Sequence, residues 1–392
     1  MSDVTSTMTE STPTTMTDHA SPQTALVLSG GGARAAYQVG VLKALAELLP
    51  DPAPYRILVG TSAGAVCASV LATHADDWRK GVQQLEAVWS DFTIEQVFRA
   101  DLPAMLSAGG RWLLSALSGG RLCRAPDALF DNAPLRRLLA REVDWTKIRR
   151  HIETGTLQAL ALTATSYRGG LHRIFFEGHG DIAEWSGVRR AGRRRALTLD
   201  HLMASAAIPF LFPAVKLGQR YYGDGAMRQL APLSPAIHLG ADRLLVIGVR
   251  GGGVAGITAP THGYTQTPSS GEIFGFMLDT LFSDQLEADL DQLERTNRLI
   301  AGQASSGLRE VSALRLLPSA DPCELAASHL QRLPSALRRL LGLMGGGNGG
   351  STLLASYLLF EGSYTRDLIA LGYSDTLTRR ADLEQFMQAA AD

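Results

Sequence analysis

A serine set between two glycines is the part of the sequence whose residue types and spacing most directly indicate chemistry. Ser62 lies between Gly60 and Gly64, after an apolar, strand-like run at 57–59 and before a small-residue, helix-compatible run at 65–73. Gly-x-Ser-x-Gly between a strand and a helix is typical of a nucleophile elbow, a tight turn that exposes the serine oxygen. The positive end of the following helix points at the same oxygen. The pattern therefore indicates a nucleophilic serine, although an ordinary turn between a strand and a helix produces it too.

A run of three glycines near the start of the chain forms a second candidate site. Glycines 30–32 follow a strand-like run at 25–28 and precede a predicted helix from about 33 to 49. Such a turn binds anions, because its N–H groups and the helix dipole point at one spot. It could bind the pyrophosphate of a dinucleotide, since Gly30-x-Gly32-x-x-Ala35 fits the loose fingerprint, or form an oxyanion hole for acyl transfer.

The second predicted strand helps to decide between these two chemistries. A dinucleotide site needs an acidic residue at the end of that strand to hold the ribose. The strand at 56–59 instead runs into Gly60 and Ser62, while Asp51 lies before it. We therefore favour the oxyanion hole. Both turns are expected at the carboxyl edge of one parallel sheet.

A carboxylate in a predicted turn, Asp224 followed by Gly225, is the third candidate. A strand-like pair of tyrosines at 221–222 precedes it. Asp-Gly is typical of a tight turn, and a turn alone explains most such pairs. A serine hydroxyl, however, needs a base within hydrogen-bond reach before it acts as a nucleophile. The usual base is a histidine with a carboxylate behind it.

The three sites, in their order along the chain, resemble the motifs of the patatin-like phospholipase family. They are the glycine run with Arg34, the turn at Ser62, and Asp224-Gly225-Ala226. The segment 204–209 also resembles the helix–proline segment that precedes the aspartate in that family. Together the motifs cover roughly residues 25–250. Ala35 departs from the family pattern, which often has a glycine there, but alanine suits the start of a helix.

The resemblance implies a Ser–Asp dyad that works without a histidine. Ser62 would attack the acyl carbonyl and Asp224 would accept its proton. A free aspartate, with a pKa of about 3.9, is a weak base near neutrality, so burial and a direct bond to Ser62 would have to assist it. The implied oxyanion-hole residues are Gly30, Gly31, Gly32, Ala33 and Arg34, and the elbow and turn glycines are Gly60, Gly64 and Gly225.

A Ser–His–Asp triad is the alternative arrangement. His238, His262 and His329 all follow Asp224, in the order Ser…Asp…His of the α/β-hydrolases. None of them lies in a recognisable loop motif, and His238 falls in what looks like the end of a helix. We therefore expect structural roles for these histidines and favour the dyad.

The composition argues against several classes of protein. A net charge of −1 over 392 residues gives no indication of nucleic acid binding. The three cysteines, Cys67, Cys123 and Cys323, are widely spaced, which favours a reduced protein without disulfides. No metal-ligand cluster is evident in the sequence, and acyl transfer of this kind needs neither a metal nor another cofactor.

No segment is expected to cross a membrane. The longest uncharged, apolar-rich run, 202–215, is 14 residues long and contains two prolines. Residues 1–23 contain no Lys or Arg and lack the apolar core of a Sec-type signal peptide. We therefore expect a cytoplasmic protein, with peripheral membrane contact as an option.

The predicted fold is α/β: a three-layer α/β/α sandwich with a mainly parallel central sheet, patatin-like, plus helical C-terminal additions. Residues 1–23 are expected to form a disordered Ser/Thr-rich tail, 24–250 the catalytic core, 251–271 a flexible loop, and 272–392 a helical extension packed on the core. A long helix is predicted at 272–300, with an inner stripe of Phe276, Leu281, Leu286, Leu290 and Leu293.

The activity that the resemblance implies is hydrolysis of carboxylic ester bonds of phospholipids or lysophospholipids through an acyl-enzyme. A non-lipid carboxylesterase or thioesterase and a catalytically silent lipid-binding protein are the alternatives. Membrane contact could involve the apolar segment 112–117, the basic run 189–195 or the basic amphipathic segment 334–344, although core helices and solvated surface explain the same patterns. The sequence contains no pattern that indicates whether the protein is a monomer or an oligomer.

Overall fold

Strands alternating with helices build one central β-sheet in a computed structural model that describes residues 22–49, 54–99, 127–180, 182–251, 269–301, 309–343 and 350–388. Isolated residues between 110 and 122 and residue 267 are also described. Within these ranges the sheet has ten strands. They are β1 (Thr24–Leu28), β2 (Tyr55–Gly60), β3 (Ala159–Ser166), β4 (Leu171–Gly178), β5 (Trp185–Gly187), β6 (Arg190–Arg194), β7 (Val215–Leu217), β8 (Arg220–Asp224), β9 (Arg243–Ile247) and β10 (Ser312–Leu316).

Helices connect these strands and continue to the end of the described chain. Short 3₁₀ helices at Gly32–Ala35 and Gly225–Arg228 follow β1 and β8. The α-helices are α1 (Ala36–Leu48), α2 (Ala63–Thr73), α3 (Trp78–Ser90), α4 (Ile94–Val97), α5 (Ala133–Glu142), α6 (Trp145–Glu153), α7 (Leu199–Ser205), α8 (Ser234–His238), α9 (Ser270–Ile300), α10 (Pro322–Ala327), α11 (Ser335–Leu343), α12 (Gly350–Leu358), α13 (Gly362–Thr378) and α14 (Arg380–Gln388).

The half of the sheet that carries the predicted serine is parallel, with the strand order β10-β9-β1-β2-β3. Parallel strands are covered on both faces and therefore form continuous apolar runs. Every residue of β1 and of β9 is buried. In register, Leu28 lies beside Gly60, and Gly60 lies beside Leu162. The carboxyl ends of β1 and β2 therefore reach the same edge of the sheet.

The other half of the sheet is largely antiparallel and determines where β8 ends. β4 pairs with β3 along its whole length, so β2 and β8 share the opposite edge of β3. β2 runs parallel to β3 as far as Leu162, whereas β8 runs antiparallel and ends with Asp224 beside Ala164. The two strands therefore meet head to head along β3. The predicted α/β fold with a mainly parallel sheet is confirmed, and β4 to β8 extend it on one side.

Two apolar layers, one on each face of the sheet, hold the helices in place. Successive residues of a strand point to opposite faces. Leu26 and Leu58 pack in one cluster with helices α1, α2 and α3, whereas Val27 and Val59 pack in the other with α8 and α9. These two clusters produce the three-layer arrangement of helices, sheet and helices.

Two local features differ from the sequence-based expectations. The basic run is part of the sheet and not simply a solvated surface, because β6 contains residues 190–194 and Arg193 and Arg194 donate to nearby carbonyl oxygens. Phe276 is 67% exposed, so its place in the inner stripe was wrong, and Leu278 and Phe282 are buried instead. By contrast, the segment 334–344 agrees with the expectation of a core helix, because it contains α11, whose Leu337 is buried in the core.

Some predicted segments fall outside the described residues. These are nearly all of the tail at 1–23, most of the loop at 251–271, and Trp112 and Leu113 of the apolar segment 112–117. In the described part of the chain, no helix is both long enough and apolar enough to cross a bilayer.

Candidate active site

Ser62 occupies a sharp turn between β2 and α2. Its backbone has φ 54° and ψ −122°, a region that a non-glycine residue rarely adopts and one that is common at functional sites. The turn requires its glycines. A Cβ atom at Gly64 would lie 2.3 Å from the carbonyl oxygen of Leu28, and one at Gly60 would lie 2.4 Å from Cα of Ala65. The geometry is that of the predicted nucleophile elbow.

The glycine-rich loop after β1 lies directly beside this turn. A Cβ atom at Gly30 would be 3.2 Å from Cβ of Ser62. Gly32 has a φ of 54°, and a Cβ atom there would lie 2.3 Å from the carbonyl oxygen of Tyr357. The amide of Arg34 donates to the carbonyl of Gly31 at 3.1 Å, which closes the first turn of the 3₁₀ helix. Amides at the start of a helix have no partner within it, so those of residues 31–33 are suited to hold an anion.

Asp224 ends β8 and is completely enclosed. Its side chain is 1% exposed, and Oδ1 accepts a hydrogen bond of 2.9 Å from the amide of Ala226. The following glycine packs against β3, because a Cβ atom at Gly225 would lie 2.0 Å from Oγ1 of Thr163. The tight Asp-Gly turn therefore packs against the sheet, and the Asp224 carboxylate is buried there and not exposed at the tip of a loop.

The Ser62 hydroxyl and the Asp224 carboxylate lie within interaction distance of each other. Burial raises the pKa of Asp224 to about 7, and hydrogen bonds from the Ser62 hydroxyl and the Ala226 amide act in the opposite direction. Within the described residues, Oδ2 of Asp224 has no hydrogen-bond partner of ordinary geometry, so the contact with Ser62 is a loose one. Catalytic hydrogen bonds are often long in a protein without substrate and tighten when substrate binds.

The segment between α7 and β7 fixes both residues from one side. Oγ of Ser205 accepts a hydrogen bond of 3.0 Å from the amide of Ser62. Two residues further along, the carbonyl of Ala207 accepts a bond of 2.8 Å from the amide of Asp224. Sequence reasoning missed both roles. The resemblance of residues 204–209 to a family segment was the available signal, but it did not show which groups bond.

A second polar network lies beneath the turn. Oγ1 of Thr61 accepts hydrogen bonds from Oγ1 of Thr163 at 2.9 Å and from Nε2 of Gln229 at 2.8 Å. Thr165 donates to the carbonyl of Gly225 at 3.3 Å. The residue before Ser62 is thus tied to β3, which also carries the turn at Asp224. Isolated threonines and glutamines gave no signal in the sequence.

Comparison with known proteins identifies the family of this chain. The family model "Patatin-like phospholipase" matches residues 26–237, more than half of the 392 residues. This chain belongs to the patatin-like phospholipase family. The matched range contains the glycine-rich loop, the elbow at Ser62 and the turn at Asp224.

The individual proteins that match this chain are either low in sequence identity or similar over a short stretch only. Triacylglycerol lipase 4 of Saccharomyces cerevisiae is 52% identical over 52 residues, which are 13% of this chain and 5% of the yeast protein. Human GIVD cytosolic phospholipase A2 is 13% identical, with a TM-score of 0.43, over 94% of this chain and 59% of its own. The ExoU–SpcU complex of Pseudomonas aeruginosa is 16% identical, with a TM-score of 0.27, over 91% of this chain and 75% of its own. The chain thus spans a small part of the yeast lipase and about three fifths of the human phospholipase.

In this patatin-like protein the side chain of Arg34 is directed at the C-terminal helices. Its guanidinium pairs with Asp279 of α9 at 3.1 Å and donates to Ser356 at 2.8 Å and to the hydroxyl of Tyr357 at 3.0 Å. The guanidinium also lies 4.0 Å above the ring of Tyr357. Arg34 is 2% exposed. It therefore anchors the glycine-rich loop to α9 and α12.

The two candidate histidines that the structure describes, His238 and His329, have other partners. His238 stacks on Trp185 with ring centroids 4.7 Å apart. His329 bonds to Asp367 at 2.7 Å and to Ser363 at 3.0 Å. His262 lies outside the described residues. In the ranges described, no three His, Cys, Asp or Glu side chains lie close enough together to hold a metal ion.

A narrow apolar channel opens at Ser62 and runs between α2, α3 and α5. Ser62 and Gly32 are among the residues that line it, and the volume open to the centre of a water-sized sphere is about 50 Å³. Nearly all of the wall consists of apolar side chains from the three helices, together with Phe212 and Phe360. The candidate serine Ser62 therefore faces a space that suits a hydrocarbon chain.

The ion pair of Arg34 leads to a prediction about stability. Replacing Asp279 with Ala leaves a buried guanidinium without its carboxylate, and we expect the free energy of unfolding to fall by about 3 kcal/mol. Asp291→Ala, at an exposed position of the same helix, is the matched control and should change it by less than about 0.5 kcal/mol. Urea denaturation measures both. Equal values for the two variants would show that the pair does not anchor the loop.

Proposed function

We propose that this protein is a lipid acyl hydrolase in which Ser62 is the nucleophile and Asp224 the general base. The observation that carries the proposal is the enclosed carboxylate of Asp224 beside the Ser62 hydroxyl, with its pKa raised to about 7. A base is most effective when its pKa lies near the working pH, and this shift removes the weakness of an ordinary aspartate. The family to which the chain belongs supports an ester of a lipid as the substrate.

The reaction follows from the positions of these groups. The Ser62 oxygen attacks the ester carbonyl carbon while its proton passes to the Asp224 carboxylate. The amides of residues 31–33 hold the oxygen that becomes negative, and the rigid glycine loop positions these donors before reaction. The carbon–oxygen bond of the ester then breaks, and Asp224 returns the proton to the leaving alcohol. Water attacks the acyl-Ser62 ester by the same steps in a second half-reaction.

Phospholipid or lysophospholipid is the substrate class that we propose. The apolar channel at Ser62 supports a substrate with a hydrocarbon chain over a small polar ester, since its wall would leave a polar acyl group without partners. A non-lipid esterase or thioesterase and a silent lipid-binding protein are the competing functions. A panel of phospholipids, lysophospholipids, thioesters and short esters separates the first from the proposal.

Substitution of the two residues tests the dyad. Ser62→Ala should remove both hydrolysis and labelling by a fluorophosphonate probe. Asp224→Asn should lower kcat by about 100- to 10 000-fold, the usual contribution of a general base. Ser69→Ala, which removes another buried hydroxyl of α2, is the control and should keep most of the activity. Intact-mass spectrometry and initial rates are the measurements.

Three outcomes would contradict this assignment. Full activity of Ser62→Ala would exclude the nucleophile, and full activity of Asp224→Asn would exclude the base. Absence of both labelling and hydrolysis in the wild-type protein, across the whole panel, would favour the silent lipid-binding protein.

We also propose that an exposed apolar surface beside the site contacts the lipid aggregate that holds the substrate. This surface, defined as Phe210, Ile273, Phe276 and Met277, has exposed fractions between 49% and 67%. Phe210 and Met277 border an apolar surface cavity of about 520 Å³. Phe210 also has a φ of 65°, which is unusual for a bulky residue and holds its ring outward at some cost. Its neighbours Ile208 and Phe212 line the channel at Ser62, so the surface leads toward the reactive serine.

Vesicle binding tests this surface. Replacing Ile273 and Phe276 together with Ser should reduce co-sedimentation with phosphatidylcholine vesicles by about tenfold or more, because two exposed apolar side chains lose their insertion energy. Hydrolysis of a water-soluble short ester should be unaffected. Leu299→Ser, at an equally exposed site near the far end of α9, is the control. Unchanged vesicle binding in the double variant would exclude this surface.

A further inference from the structure

The channel at Ser62 has a definite far end. α2 follows Ser62, its N-cap residue, and lines the channel with Ala63, Val66 and Val70, which recur at helical spacing on one face. α3 runs alongside and contributes Trp89 among other residues, and α5 completes the wall. The distance from Ser62 to Val70 along the helix therefore measures the depth of the apolar part.

Two polar side chains stand at the other end from Ser62. Nε2 of Gln84 donates to the carboxylate of Glu142 at 2.7 Å and to its carbonyl oxygen at 3.1 Å, which links α3 to the end of α5. Oε1 of Gln84 lies 2.6 Å from Nε2 of His74, the residue that ends α2. Gln84 and Glu142 both line the channel and are half-buried. The hydrogen-bonded pair thus separates the apolar space from solvent.

The helix geometry converts this depth into a chain length. Eight residues at 1.5 Å each place Val70 about 12 Å beyond Ser62. An extended chain of single bonds covers about 1.2 Å per bond, as the polypeptide backbone shows. The apolar wall therefore accommodates roughly ten bonds of a straight hydrocarbon chain before its end reaches Gln84.

We propose that this channel binds the acyl chain of the substrate and that the Gln84–Glu142 pair limits it to about ten carbons. The inference rests on the proposed function, because the ester must lie at Ser62 for the acyl chain to enter here. Each methylene group up to the pair gains burial against apolar side chains. A longer chain must place methylene groups against the polar atoms of Gln84 and Glu142 or break the hydrogen bonds between them, and neither contact gains the burial that the apolar wall provides. The pair is thus a determinant of specificity and has no part in the chemical step.

Binding of free fatty acids tests the proposal without turnover. Ser62→Ala protein is titrated by calorimetry with saturated fatty acids of about six to about eighteen carbons, below their critical micelle concentrations. We expect Kd to fall about fourfold with each added methylene group up to about ten carbons, and to stay constant for longer chains. A Kd that keeps falling up to the longest fatty acid would overturn the proposal.

Variants of the channel show whether these residues set the limit. Gln84→Ala, in the same Ser62→Ala background, should extend the gain in affinity to longer chains. Val70→Phe places a larger side chain in the inner part of the channel. The chain length at which Kd stops falling should therefore be shorter than in the parent protein. Gln83→Ala, an exposed neighbour on α3, is the matched control and should leave the profile as in the parent protein. If Gln84→Ala, confirmed as folded by its melting curve, retains the parent profile, the assignment of the limit to this pair is wrong.

The two hypotheses fail separately in these experiments. Loss of hydrolysis across every ester would overturn the proposed function while the fatty acid profile still reports the channel. A hydrolase with an unbroken chain-length profile would overturn only the limit at Gln84 and Glu142.

Discussion

The proposed site depends on the burial of one carboxylate, that of Asp224, away from water. Asp224 is 1% exposed, and its burial raises its pKa to about 7. A group whose pKa is higher in the folded than in the unfolded protein favours folding while it is protonated, so this contribution is lost as the pH rises toward and through about 7. The protein therefore gives up stability at neutral pH to hold an ionisable carboxylate, the proposed base, next to Ser62. Such a cost at a functional site is common, because the same burial that destabilises the charge makes it a useful base.

The sheet produces this arrangement with two strands that approach each other along a third. β2 and β8 share one edge of β3 and end near its residues 162 and 164. The gap between the two strand ends is where the turns at Ser62 and Asp224 meet. Ser205 and Ala207 then accept hydrogen bonds from the backbone amides of Ser62 and Asp224, so that one segment sets the distance between these two residues. A small displacement of this segment would separate the proposed nucleophile from the proposed base.

The helices after the matched family region complete the site. Gly32 packs against the carbonyl of Tyr357, Gly30 packs against Phe282, and Arg34 pairs with Asp279. All three contacts come from α9 and α12. The glycine-rich loop is therefore enclosed by residues 245 or more positions away in the chain, as the hydrogen bonds of Arg34 show. The C-terminal helices thus act as part of the wall of the site.

Local chemistry explains why the sequence was informative at some positions. The turns at Ser62, the glycine run and Asp224 each need particular residues, because a Cβ atom or another backbone conformation does not fit there. Contacts between segments that are distant in the chain do not require a recognisable short pattern of residues. The partners of Arg34, the roles of Ser205 and Ala207 and the pair Gln84–Glu142 depend on packing that no short pattern encodes. Phe276 was misplaced for a related reason: apolar spacing on a long helix does not show which face the neighbouring helices leave uncovered.

Asp224 is proposed to act as the base of Ser62, and the pH dependence of Ser62 phosphonylation tests this role most directly. Asp224 accepts a proton only when ionised, so the rate of fluorophosphonate labelling should rise with pH and reach half its maximum near pH 7, where Asp224 loses its proton. Asp224→Asn should react slowly and without this midpoint. A wild-type rate that is independent of pH from about 5 to about 9, or the same midpoint in Asp224→Asn, would contradict the account.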